Sequence, residues 1–309
     1  MTKYAVIDIG SFSVLLLIAE TDSAGNIYPM QEHYKITRLG DNVAKTGRLN
    51  EAAIERTLEK LEEYRKIVTR NTIAAVYLLG SEALRRAENS AELSIKIKER
   101  FGWDLEILDA EEEAQFSYRG AVSGLPHLPN RCCVIDVGGG SCEFCVGQGM
   151  RVETMKSIAV GAASLYEKSG RKRTLCSAER LELSHFVKLL LQENGINELL
   201  MDAQDFIVCG GTITTLAAIK RQLTVYTPAM VNGLALSRKE LWDMYFALNA
   251  QPIRERKKNP GLEAGRERVV LFGALIILTL MEWLHIEYIR VSDRGLRYGY
   301  LQNKLLKMR

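Results

Sequence analysis

Apolar positions along this chain of 309 residues follow two periods. Runs of β-branched and aliphatic residues predict strands at 3–9, 13–20 and 27–37, joined by Gly10-Ser11-Phe12 and by the turn Ser23-Ala24-Gly25-Asn26. Behind Asn50, a helix cap, the near-helical spacing of Ile54, Leu58, Leu61, Tyr64 and Val68 predicts a helix. A strand at 74–79, a helix at about 91–101, a strand at 104–108 and a helix at about 111–122 follow. The segment 123–130 holds two prolines and a glycine, which predicts a junction between a domain of residues 1–123 and a domain of residues 124–309.

After that junction the opening pattern returns. Val6-Ile7-Asp8-Ile9-Gly10-Ser11 reappears as Val134-Ile135-Asp136-Val137-Gly138, then Gly139-Gly140-Ser141, with the aspartates 128 positions apart at 8 and 136. Such repetition implies duplication. Further strands are expected at 142–147, 151–158, 206–209 and 287–291, with helices near 161–168, 178–193 and 294–307. Ser237-Arg238-Lys239-Glu240 reads as a capping box opening a helix with Leu241, Met244 and Tyr245 inward. The 13-residue apolar run 269–281 reads as a buried helix, short of the roughly 20 residues that cross a bilayer.

Composition narrows the class. Hydrophobic residues are 47% and charged residues 26%, with 24 Gly and 6 Pro, which excludes collagen-like, disordered and disulfide-scaffold chains. A net charge of +3 is too small to hold nucleic acid by phosphate neutralisation alone. Asp8 inside the first apolar stretch argues against an export signal, and six cysteines then read as free thiols in the cytoplasm. Neither nucleic acid nor membrane is an expected partner.

Three glycine turns follow three apolar strands: Asp8-x-Gly10-Ser11, Asp136-x-Gly138-Gly139-Gly140-Ser141 and Gly210-Gly211-Thr212. Glycine lets backbone N–H groups surround an oxyanion, and the hydroxyls of Ser11, Ser141 and Thr212 add donors. A single such turn reads better as a tight hairpin; two in duplicated halves plus a third point to phosphate. A carboxylate just before a phosphate cradle suits Mg²⁺, which takes one or two carboxylates, waters and phosphate oxygens, so Asp8 and Asp136 are candidate ligands. Glu111 and Glu112 read as stabilising first-turn acids of a helix. Glu113, one residue further in, and Glu143, on the strand leaving the second cradle, are positioned to converge on a cleft between the halves and handle water in phosphoanhydride hydrolysis. Cys142 and Cys145, three apart on a strand, face opposite ways, so no zinc site is read there. The four histidines are scattered. The basic clusters 171–173 and 254–258 read as solvated loops.

Jointly these motifs resemble the exopolyphosphatase and guanosine pentaphosphate phosphohydrolase family over essentially the whole chain. The resemblance rests on Ile7-Asp8-Ile9-Gly10-Ser11, Arg38-Leu39-Gly40, Ala83-Leu84-Arg85, Glu112-Glu113-Ala114, the segment from Ile135 to Glu143, Gly210-Gly211-Thr212 and the segment from Val291 to Arg297. It implies an α/β fold, a duplicated actin-like (ribonuclease H-like) two-lobe architecture with an interlobe cleft, in which the last helix packs back on the first lobe. It implies that Glu113 activates water, that Asp136 and Glu143 serve Mg²⁺ (or Mn²⁺) and catalysis, and that Arg85 faces phosphate. The expected phosphate-binding set is Gly10, Ser11, Ser13, Arg85, Gly138, Gly139, Gly140, Ser141, Gly211 and Thr212; the expected metal set is Asp8, Asp136 and Glu143. The chain departs from the family pattern at Phe12, Glu82, Gln115, Cys142 and Asn232. A missing cation at 115 and an added anion at 82 lower the local positive potential. The expected reaction is release of terminal phosphate from polyphosphate or guanosine pentaphosphate, with a non-catalytic nucleotide or alarmone sensor as the alternative. Expected partners are those phosphorylated ligands and a second copy of the chain.

Overall fold

The computed structural model describes residues 1–125, 127 and 130–308, which divide into two compact units: Met1–Phe116 together with the chain from Leu296 onward, and Ser117–Gly295. The division expected at 123/124 falls instead at Phe116/Ser117, inside a helix. The reason is local: the Ser117 hydroxyl donates to Asp136 and the Tyr118 hydroxyl to the carbonyl of Gly149, so this half of the helix is already tied to the second unit. Pro126, Leu128 and Pro129 of the expected junction lie outside the described residues.

The first unit holds strands β1 (Thr2–Ile9), β2 (Ser13–Thr21) and β3 (Ile27–Ile36), helices α1 (Val43–Thr46) and α2 (Glu51–Thr69), and strand β4 (Ala75–Gly80). Helices α3 (Glu82–Arg86) and α4 (Ser90–Phe101), strand β5 (Leu105–Ile107) and helix α5 (Ala110–Ser123) follow. The sheet order is β3-β2-β1-β4-β5, an antiparallel meander extended by parallel strands. Strand β1 is apolar almost throughout because both of its faces are covered. Ala5, Ile7 and Ile9 join a core with Ile54, Leu58, Leu61 and Tyr64 of α2, while Val6 faces a second core with Phe116, Leu296, Tyr298, Tyr300 and Leu301. Helix α2 starts where Asn50 accepts a hydrogen bond from the Ala52 amide.

The second unit repeats the plan. Its strands are β6 (Arg131–Val137), β7 (Cys142–Gln148), β8 (Arg151–Ile158), β9 (Asp205–Cys209), β10 (Ala235–Ser237) and β11 (Tyr288–Val291), in the order β10-β11-β9-β6-β7-β8. Its helices are α6 (Ala162–Lys168), α7 (Ser177–Glu193), α8 (Ile196–Leu200), α9 (Gly211–Lys220), α10 (Pro228–Val231), α11 (Arg238–Ala250), α12 (Ile253–Arg256) and α13 (Val270–Trp283). The final helix, α14 (Leu296–Lys307), belongs to the first unit. The apolar run is α13, with every residue from Val270 to Met281 buried.

The duplication is visible in register as well as in strand order. Asp8 pairs with Leu15 across β1 and β2, and Asp136 pairs with Glu143 across β6 and β7, the same register 128 positions on. Each meander also carries a register shift at the equivalent place, Ile18/Ala19 and Val146/Gly147. Such bulges are built features of a strand pair rather than defects.

One expectation about the surface fails. Arg256, assigned to a solvated basic loop, is fully buried. Its guanidinium donates to the carbonyls of Leu248, Glu267, Arg173 and Gln251 at 2.7–3.2 Å. Five donors in a rigid fork can tie three chain segments together, which a charge run in sequence does not reveal.

Candidate active site

Each unit ends its first strand in the glycine turn foreseen from the sequence, closed the same way. The Gly10 amide donates to the Ser13 carbonyl at 2.9 Å, and the Gly138 amide to the Ser141 carbonyl at 3.0 Å. The first turn is held from outside by Arg38-Leu39-Gly40. The Thr37 and Arg38 amides donate to the Phe12 carbonyl and the Gly40 amide to the Ser11 carbonyl at 2.7 Å. The second is held by the start of α6, whose Ala162 amide donates to the Gly138 carbonyl and whose Ala163 and Ser164 amides donate to that of Gly139. With those carbonyls engaged, the Gly138–Ser141 backbone is fixed before any ligand arrives.

Beside the second turn stand the two carboxylates. Asp136 and Glu143 are direct cross-strand partners, so their side chains share one face of the sheet. Asp136 Oδ2 accepts from the Ser117 hydroxyl at 2.8 Å, and Glu143 Oε1 accepts from the Ser157 hydroxyl at 2.9 Å. Burial raises the Asp136 carboxyl above its usual range, against hydrogen bonds from Ser117 and Cys209 that lower it. Gly210 sits over the same carboxylate at φ +92°, where a Cβ would come within 2.9 Å of Asp136 Oδ1. Only glycine both adopts that backbone and leaves the oxygen room. Among the described residues no group of three or more His, Cys, Asp or Glu is arranged around a metal position. Asp136 and Glu143 put two carboxylate oxygen donors on one face of the sheet, the ligand type that hard cations take alongside water.

In the first unit, β4 and β5 are parallel, so α3 and α5 both begin at the same end of the sheet. That brings Arg85 and Glu113 together. Arg85 Nη1 donates to Glu113 Oε2 at 2.5 Å and to the Leu108 carbonyl at 3.0 Å. Arg85, expected to face phosphate, gives that donor to the expected base. Glu112 closes a capping box with Asp109, in keeping with its reading as a helix-start residue. Asp8, expected as a metal ligand, lies in the field of Arg297, a buried guanidinium that also donates to Glu32.

The remaining expected residues divide. The Ser11 hydroxyl donates to Glu82 Oε2 at 2.7 Å, so its proton is directed at a carboxylate. Ser13 and Ser141 are buried at the turn closures. Thr212 is also buried, and its Oγ1 would lie 2.2 Å from a Cβ at Gly273 of α13, so its hydroxyl faces the core. Gly211 is not merely a turn residue but opens α9. Against it lies a cation that no sequence motif marked: Arg266, whose guanidinium atoms would stand 2.0–2.2 Å from a Cβ at Gly211. The Arg266 guanidinium therefore packs face-on over the third glycine turn, held by Glu263 through Nε at 3.1 Å.

Two repeats of a three-stranded meander with parallel strands beyond it, each with a fixed glycine turn and an aspartate before it, define a duplicated actin-like fold built to handle phosphate. The chain matches the Ppx/GppA phosphatase family over residues 17–308 and belongs to it. It is 27% identical over 311 residues to Exopolyphosphatase 2 of Mycobacterium tuberculosis, covering 97% of each chain. It is 28% identical over 303 residues to a bifunctional 3-dehydroquinate synthase/phosphatase of Fusobacterium nucleatum, covering 94% of this chain but only 44% of that protein's length. The crystal structure of the Aquifex aeolicus Ppx/GppA family member is similar at a TM-score of 0.81 and 33% identity, covering 99% and 98% of the two chains. That of an exopolyphosphatase-like protein is similar at 0.92 and 25%, again covering 99% and 98%.

Proposed function

We propose that this chain is a phosphoanhydride hydrolase that releases terminal phosphate from inorganic polyphosphate or from the 5′-triphosphate end of guanosine pentaphosphate. The observation that carries this reading is the Asp136 and Glu143 pair, aligned across β6 and β7 directly beside a glycine turn whose backbone is fixed in advance. Membership of the phosphatase family supports it. Glu113 is the base that orients and deprotonates water, held in place by Arg85. Backbone amides of the Gly139–Ser141 stretch, with Arg266 over Gly211, receive the charge that develops on the phosphoryl oxygens. Asp136 and Glu143 would hold Mg²⁺ (or Mn²⁺), which when bound supplies charge neutralisation at the phosphate oxygens. Free thiols, five of the six buried, support a cytoplasmic setting.

The test follows phosphate release from polyphosphate, guanosine pentaphosphate and nucleoside triphosphates. Release from one of the first two is expected, and Glu113→Gln is expected to lower it by about 10²–10⁴-fold. Unchanged turnover in that variant would remove Glu113 as the base. Ligand binding with no release from any substrate would replace the hydrolase reading with the sensor.

A further inference from the structure

The two repeats carry opposite charges at equivalent turns. In the second unit the turn after β9, Gly210-Gly211-Thr212, has no acidic residue and lies against the Arg266 guanidinium. In the first unit the turn after β4, Gly80-Ser81-Glu82, occupies the corresponding place, since β4 lies parallel to β1 as β9 lies parallel to β6. Here the charge is a carboxylate. Glu82 opens α3, its side chain only 14% exposed, and it takes the Ser11 proton at 2.7 Å through Oε2. Its other oxygen pairs with Arg86 at 3.2 Å, one helical turn on, and that arginine is 42% exposed. The neutralising partner is thus on the solvent side, and the carboxylate side of the pair meets the glycine turn.

We propose that Glu82 is a specificity-determining residue that weakens the grip of the first glycine turn on phosphate. The Ser11 hydroxyl has one proton, and because Glu82 accepts it, that proton is not offered to a phosphate oxygen. A phosphate approaching Gly10–Ser13 therefore meets an unmade hydrogen bond and a like charge, whereas one approaching Gly211 meets a guanidinium paired through Nε with Glu263. The consequence lies within the first unit: its glycine turn discriminates against high charge density. This rests on the phosphoanhydride reading for its biological meaning, but its physical content is anion affinity alone.

The experiment measures binding of tripolyphosphate to the full chain by calorimetry, independently of turnover. Glu82→Gln keeps an acceptor for Ser11 and removes the charge; its dissociation constant is expected to fall on the order of tenfold. Arg86→Ala leaves Glu82 less neutralised, and binding is expected to weaken. Thermal unfolding of both variants checks that the fold is retained. If Glu82→Gln binds no more tightly than the parent chain, or more weakly, the proposal is overturned. Tighter binding by Glu82→Gln in a protein that hydrolyses neither polyphosphate nor guanosine pentaphosphate would uphold it while removing the hydrolase reading. Hydrolysis with unaltered anion affinity would do the reverse.

Discussion

Arg85 and Arg256 show how far a side chain's role departs from its type. Both are arginines in charged stretches, yet one orients a carboxylate and the other ties carbonyls inside the second unit. The Arg85 geometry makes a distinguishing prediction. Because its Nη1 serves Glu113 and the Leu108 carbonyl, Arg85→Lys is expected to lower kcat by about 10–100-fold through misplacement of the base, with KM little changed. A large rise in KM in steady-state kinetics would return Arg85 to the phosphate. At this scale sequence named residues better than partners. Glu113, Asp136, Glu143 and the glycines of both turns stood out by spacing. Their companions Ser117, Ser157 and Arg266 did not, because none sits in a motif, and Glu82 stood out as an added anion but not as the acceptor for Ser11.

Elements were legible where the hydrophobic period was long or the cap explicit. Helix α2 behind Asn50 and helix α11 behind Ser237 both begin where the capping residues said they would. The latter carries a pH consequence. Glu240 is held down to about 2 by hydrogen bonds from Lys220 and from the Ser237 amide. A carboxyl depressed on folding adds stability above its unfolded value near 4.5, and that stability is lost as pH falls toward about 2. Glu240→Gln is therefore expected to melt below the parent at neutral pH, with the gap closing below pH 4.5 in a pH series of thermal melts. The shift is small because Glu240 is 42% exposed. Helix α9 went unread for the opposite reason. Buried at Thr212, Ile213, Thr215, Leu216, Ala217 and Ala218, it has no polar face to mark a helical period, and its opening Gly210-Gly211 looked only like a turn.

At the scale of the whole chain, duplication sets the plan and the chain ends modify it. Helix α14 is last in sequence, yet Leu296, Tyr298, Tyr300 and Leu301 complete a core with Val6, Leu17, Ala19 and Leu79 near the start. Ending the chain before Leu296 is expected to strip that core of four apolar side chains and cost more than the usual few kcal/mol of a point mutation, on the order of the whole stability of a domain. Hydrogen exchange on β1 and β2 reads this out: rapid exchange there is expected, and full protection would show that the first unit closes without α14. The sequence by itself determined the repeat, the strand meanders and the acidic and glycine positions, because these follow from local period and spacing. Only the tertiary structure decided which charge faces which: Arg85 on Glu113, Arg266 on Gly211, Glu82 on Ser11 and Arg297 by Asp8. Charge pairing depends on where separate segments are brought together by packing, and a sequence read along one dimension holds no distances between them.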